Sequence, residues 1–90
     1  MSKIFNLTIM TPEKEVFDGD AEAVTVTTTD GVYTFLANHT PLIMPLIAGE
    51  IAIKKDGIWS KSHNTEGFAE TRKQGIRIFV QTCKGIGNRE

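Results

Sequence analysis

The chain has 90 residues, a mass of 9.9 kDa and a formal net charge of -1, from 10 Lys and Arg against 11 Asp and Glu. That length holds one hydrophobic core, since domains typically run to ~100–150 residues, and the even charge balance excludes the basic footprint of a nucleic-acid binder. The single cysteine, Cys83, excludes an internal disulfide and fits a reducing compartment.

Ile, Val and Thr supply 26 residues, against 10 for Leu and Ala together. β-Branched side chains lose rotamer freedom in a helical turn and sit well on a pleated surface, so the composition predicts an all-β chain. Phe5, Leu7 and Ile9 alternate with Asn6, Thr8 and Met10, the period of a half-buried strand. Thr11-Pro12-Glu13-Lys14 turns the chain into a short strand, Glu15-Val16-Phe17, which Asp18-Gly19 is expected to end. A longer strand over 21–29 puts Val24, Val26 and Thr28 on one face, and Asp30-Gly31 turns it into the segment 31–36. After the loop Ala37-Asn38-His39-Thr40-Pro41 come strands at 42–47 and 50–55, with Ile51 and Ile53 inward. Asp56-Gly57 leads into 58–63, and 67–71 and 76–82 complete the series. About nine to ten short strands at this spacing predict a small β-sandwich of two packed sheets, spanning 1–84, with a short glycine-containing tail at 85–90.

No apolar h-region opens the chain, and the most apolar stretch, Pro41 to Gly49, is too short for a membrane span of ~20 residues. A soluble, intracellular domain without direct lipid binding is the expectation. The sequons Asn6-Leu7-Thr8 and Asn38-His39-Thr40 are therefore read as coincidence.

Reactive constellations are scarce. His39, His63 and Cys83 do not have the spacing of a metal site, and no cofactor is expected. Cys83 reads as a small buried or edge hydrophobe rather than a nucleophile. Asp18 and Asp20 read as solvated turn residues rather than an acid–base pair, and Gly85-Ile86-Gly87 is too short to cradle a phosphate. The chain is not read as an enzyme. The loop Asn38-His39-Thr40-Pro41 is different, because Pro41 stiffens it and hydrophobes flank it. An ordinary sandwich corner and a docking loop describe it equally well on these residues alone.

Several stretches, taken in order, carry a resemblance. Leu7-Thr-Ile-Met-Thr-Pro-Glu-Lys-Glu-Val-Phe-Asp-Gly19, Ala23-Val-Thr-Val26 with Asp30-Gly31, and Asn38-His39-Thr40-Pro41-Leu42 are three of them. Ile47-Ala-Gly-Glu-Ile-Ala-Ile53 and Glu66-Gly67-Phe68-Ala-Glu70 follow. Together they resemble the N-terminal β-sandwich of the epsilon subunit family of F-type ATP synthases. The chain departs from that pattern at Thr34 and Ala37, at Glu66 in place of a first glycine, and at Val32, where some members carry glutamate.

The resemblance implies a rotor subunit of the central stalk, linking the gamma subunit to the c-ring and coupling ion translocation to ATP synthesis. It implies ring contacts at Asn38, His39, Thr40 and Pro41, with Asp30, Gly31 and Val32 sharing that edge. It implies gamma contacts at Leu42 and Met44, although the strand position of Leu42 fits the core better. Place and partners follow: the cytoplasmic face of a bacterial membrane, with no nucleotide binding. Relatives continue into a two-helix hairpin that carries inhibition and ATP sensing, and the segment after Cys83 does not resemble it, so coupling without inhibition is the expectation. The competing reading is a free-standing sandwich that recognises a protein or glycan, with Trp59 as its aromatic candidate.

Overall fold

A computed structural model describes residues 3–37 and 40–85. Ten strands form: β1 Phe5–Met10, β2 Glu15–Ala21, β3 Ala23–Thr28, β4 Gly31–Leu36 and β5 Leu42–Leu46, then β6 Gly49–Lys55, β7 Ile58–Asn64, β8 Gly67–Arg72, β9 Gly75–Val80 and β10 Cys83–Lys84. They make two five-stranded sheets, ordered β2-β1-β9-β8-β5 and β10-β7-β6-β3-β4. All pairings are antiparallel except β1 with β9, which ties the first strand to the ninth.

The alternating residues build the core. Leu7 and Ile9 of β1, Val24 and Val26 of β3, Ile51 and Ile53 of β6, and Ile76, Ile78 and Val80 of β9 all point between the sheets and are buried. Each strand thus buries one face and wets the other, the arrangement that two packed antiparallel-rich sheets require. Short crossings close the sandwich. At Glu22 the chain steps from the first sheet to the second, where its N–H donates to Lys54 O at 2.8 Å. At Ile47, after β5 of the first sheet, it steps to the second sheet again, with the N–H donating to Thr27 O at 3.1 Å.

Two Asp-Gly pairs form the hairpins expected of them. Asp56 and Gly57 both take positive φ, 53° and 76°, the requirement of a two-residue turn matching strand twist. Asp18-Gly19 does not turn. Both residues lie inside β2, paired with Thr8 and Leu7 of β1, so the strand runs on to Ala21 and the sheet crossing at Glu22 replaces the predicted turn. Asp18 and Asp20 are consequently exposed strand residues on a sheet edge. The segment after Val80 is likewise not one strand: Gln81 and Thr82 break it, and Cys83–Lys84 pair instead with β7 in the other sheet.

Candidate functional site

Two exposed surfaces stand out; the expected contacts Asp30, Gly31 and Val32 lie on the first, and Leu42 and Met44 lie on an edge strand of the second, on its inward side. The first is the outer edge of β4. At one end of this strand, Thr28 Oγ1 accepts from Asp30 N–H at 3.1 Å and donates to Gly31 O at 2.9 Å. That bracket fixes Asp30 and Gly31 at the tip of the β3–β4 hairpin. Val32 follows with 71 % of its surface exposed. Thr40 and Leu42 line a concavity together with Tyr33, Thr34, Phe35, Leu36 and Ala37 along β4. Of the expected ring contacts, Asp30, Gly31 and Val32 therefore sit at the hairpin end of β4, and Thr40 sits beside Tyr33 to Ala37. Asn38 and His39 fall outside the described residues.

Thr71 anchors Thr40 beside that edge. This β8 residue is 3 % exposed; its hydroxyl donates to Thr40 O at 2.6 Å and accepts from Leu42 N–H at 2.7 Å. A buried hydroxyl bonded on both sides holds the exit of the loop against the first sheet. Nothing in the sequence pattern marks Thr71 for this, because the partners are backbone atoms 31 and 29 residues away.

The second surface is the solvent face of the first sheet. On β5, Leu42, Met44 and Leu46 share the inward parity, and Ile43 and Pro45 point out. Leu46 is buried and Met44 packs partly buried against the core, but Leu42 at the strand end remains 38 % exposed. The core placement expected of Leu42 is thus not met, since the end of the edge strand has no neighbour beyond it. Ile43, 67 % exposed, is the β5 residue most available to a partner.

Across the same face the register lines up Pro45, Phe68, Phe79 and Met10 from β5 through β8 and β9 to β1. The Phe68 and Phe79 rings stack with centroids 4.9 Å apart. Beside them lies a concavity of about 300 Å³ lined by Met10, Pro12, Gly67, Phe68, Phe79 and Gln81. One row further along, the face turns polar, with Glu70 opposite Arg77 and Thr8 opposite Asp18. A contiguous apolar stripe rimmed by charge is the form of a protein-docking surface. The alternation of Ile76, Ile78 and Val80 already assigns Phe79 to the outer face, and Ala69 and Thr71 do the same for Phe68.

The remaining candidates are chemically quiet. Cys83 is half-buried, with Sγ donating to Ser62 Oγ at 3.4 Å. Burial pushes its thiol pKa up, the Ser62 contact opposing this more weakly, so the nucleophilic thiolate is disfavoured. Trp59 is 47 % exposed rather than packed in the core, because it holds the outward position opposite Lys54. His63 is exposed. Among the described residues no three His, Cys, Asp or Glu side chains come together to hold a metal.

The sequence pattern of the family described as ATP synthase, Delta/Epsilon chain, beta-sandwich domain matches residues 4–85. The chain belongs to this family. It is 42 % identical over 85 residues to the ATP synthase epsilon chain of Caldanaerobacter subterraneus subsp. tengcongensis, covering 93 % of this chain and 62 % of that one. With the epsilon chain of Bacillus subtilis it shares 34 % identity over 87 residues, covering 93 % and 66 %. The chain therefore spans less than two thirds of the length of these relatives. Its fold also matches a chain in the Euglena gracilis mitochondrial ATP synthase structure of OSCP, F1 and c-ring, with a TM-score of 0.83 at 19 % identity, over 89 % of this chain and 52 % of that one. The family's β-sandwich domain is thus the fold of this chain almost from end to end.

Proposed function

We propose that the domain is a non-catalytic element of the ATP synthase rotor, joining a gamma subunit to the polar loops of a c-ring. The family supports this reading, and so do two well-formed exposed surfaces. The apolar stripe of Met10, Phe79, Phe68 and Pro45 is the observation that carries it, because a domain with no partner gains nothing from stacked phenylalanines facing water. This stripe, with Ile43 beside it, is the gamma-facing surface; Leu42 and Met44 contribute from the same strand, chiefly by holding its position. The edge of β4 is the ring-facing surface, with Asp30, Gly31 and Val32 at its hairpin end and Thr40 beside it.

Mechanically the role asks for stiffness. Two sheets packed at interior density shift between discrete arrangements rather than deforming smoothly, so torque passes through the domain without being absorbed. On this reading the domain works at the cytoplasmic face of a bacterial membrane within the F1 sector. Co-purification with the cognate gamma subunit at micromolar concentration is the expected result, and failure to form that complex overturns the reading.

A further inference from the structure

A sheet edge offers unpaired N–H and C=O groups to any strand that comes alongside, and proteins ordinarily guard such edges. Three of the four edges here are guarded. β2 carries Glu15, Asp18 and Asp20, β5 carries Pro45, and β10 is only two residues long with Lys84 at its end. β4 is the exception. Its six residues, Gly31-Val-Tyr-Thr-Phe-Leu36, contain no charge and no proline. Val32 is 71 % and Tyr33 44 % exposed.

The backbone of β4 is set for pairing. Thr28 and Gly31 close the hairpin as directly bonded partners, so bonded and non-bonded pairs alternate from there. Gly31, Tyr33 and Phe35 bond to β3, and the N–H and C=O groups of Val32 and Thr34 point to the open edge. The 3.1 Å contact between Thr25 Oγ1 and Thr34 Oγ1 agrees, since side chains approach most closely in non-bonded pairs.

We infer that the edge of β4 pairs antiparallel with β4 of a second copy of this chain, about a two-fold axis at Tyr33. In that register Val32 faces Thr34 of the other copy and Thr34 faces its Val32, which lets the four outward groups of each copy bond with no change of backbone. The two Tyr33 rings meet at the axis, where each already packs edge-on against Phe35 at 4.8 Å between centroids. Aromatic pairs across strands are favourable contacts. No like charges meet, because Asp30 falls opposite Leu36, and a net charge of -1 leaves little long-range repulsion between copies. The strand is complementary to itself. Pairing of this length buries less than the ~1,600 Å² of a standard stable interface, so the association is weak and concentration-dependent. It does not depend on the rotor reading, although ring contact at the same edge would compete with it.

Sedimentation equilibrium of the full chain from micromolar to millimolar concentration tests the inference. The wild type should approach a dimer reversibly. The double variant V32K/T34K sets lysine against lysine at both symmetry-related pairs and should weaken association at least about tenfold. Its circular dichroism should be unchanged, since both positions are exposed. The variant V32K/T34E sets lysine against glutamate only in the register centred on Tyr33, and should restore the dimer. A wild type that stays monomeric to millimolar concentration, or a dimer indifferent to V32K/T34K, overturns the inference. Failure of V32K/T34E to restore a dimer lost in V32K/T34K overturns the Tyr33-centred register.

Discussion

Gly67→Ala should be the most damaging single-methyl addition among the structured glycines. Gly67 opens β8 between Leu46 of β5 and Val80 of β9. A Cβ built there would stand 1.8 Å from Phe79 O and 2.8 Å from both Phe79 C and Val80 Cα. Ordinary contact begins near 3.4 Å, and all three obstacles are backbone atoms of a central strand, so no side chain can rotate away. Relief requires β9 to retreat by more than an ångström, which breaks the Gly67–Val80 pair and opens the core beside Ile78. Overpacking of this kind costs ~1–3 kcal/mol, more when ladder pairs are lost with it. The whole domain is stabilised by only ~5–13 kcal/mol at its length. A loss of about 3 kcal/mol should lower the melting temperature by roughly 12–24 °C for a domain of this size. Gly19→Ala is the matched comparison: its Cβ would find nothing nearer than 3.6 Å and its φ is not positive. There the change should be neutral to slightly stabilising, within ~1 kcal/mol, as in any unstrained strand position. Thermal and urea unfolding followed by circular dichroism separate the two. A Gly67→Ala protein within about 1 kcal/mol of wild type would refute the steric reasoning, and a damaging Gly19→Ala would refute the placement of Asp18-Gly19 inside β2.

Thr71→Val removes the hydroxyl that holds Thr40 and Leu42, leaving a partly buried carbonyl and N–H without this partner. A loss of ~1–3 kcal/mol is expected, together with faster hydrogen exchange at the Leu42 amide; unchanged exchange there would contradict the anchoring role. Cys83 should react slowly with alkylating reagents in the native protein and quickly in denaturant, because burial raises its pKa. The same shift has a sign for stability. The unfolded thiol ionises first as pH rises above its ordinary value of 9.0, so the native state holds the extra proton and stability falls above that pH. Cys83→Ser should flatten this alkaline slope, as measured by urea unfolding across pH 8 to 10.

Much of the fold is written in short-range pattern. Alternation alone places Leu7, Ile9, Val24, Val26, Ile51 and Ile53 in the core, and each is buried. Asp30-Gly31 and Asp56-Gly57 turn where expected, because strands of matching length flank them. Asp18-Gly19 has the same two letters and does not turn, since the residues on both sides belong to one strand paired along its length with β1. Turn propensity yields there to a long-range ladder. Leu42 departs from its expected core place for a related reason: hydrophobicity suggests burial, but the position on the strand decides, and Leu42 lies at an edge-strand terminus.

The proposed docking surfaces draw on the sequence in part. The resemblance points to Asp30, Gly31 and Val32, which the fold puts at the β3–β4 hairpin, and to the strand of Leu42 and Met44; Asn38 and His39 fall outside the described residues. The stripe from Met10 to Pro45 was missed as a unit, because its four residues come from four strands and meet only through sheet order. Thr71 was invisible for the same reason.

Affinity for the cognate gamma subunit, measured with wild type beside Ile43→Lys and Phe68→Lys, decides whether the solvent face of the first sheet is the gamma-facing surface. Both side chains are exposed on the first sheet, so the variants should keep their fold, Ile43→Lys with an unchanged melting temperature and Phe68→Lys losing no more than the ~1 kcal/mol of its ring stack. The gamma-facing role of this surface predicts that Phe68→Lys binds gamma at least about tenfold more weakly, because a charge enters the apolar stripe, and that Ile43→Lys, opposite Glu70 at its rim, binds more weakly by a smaller factor. Wild-type affinity in both folded variants would contradict it.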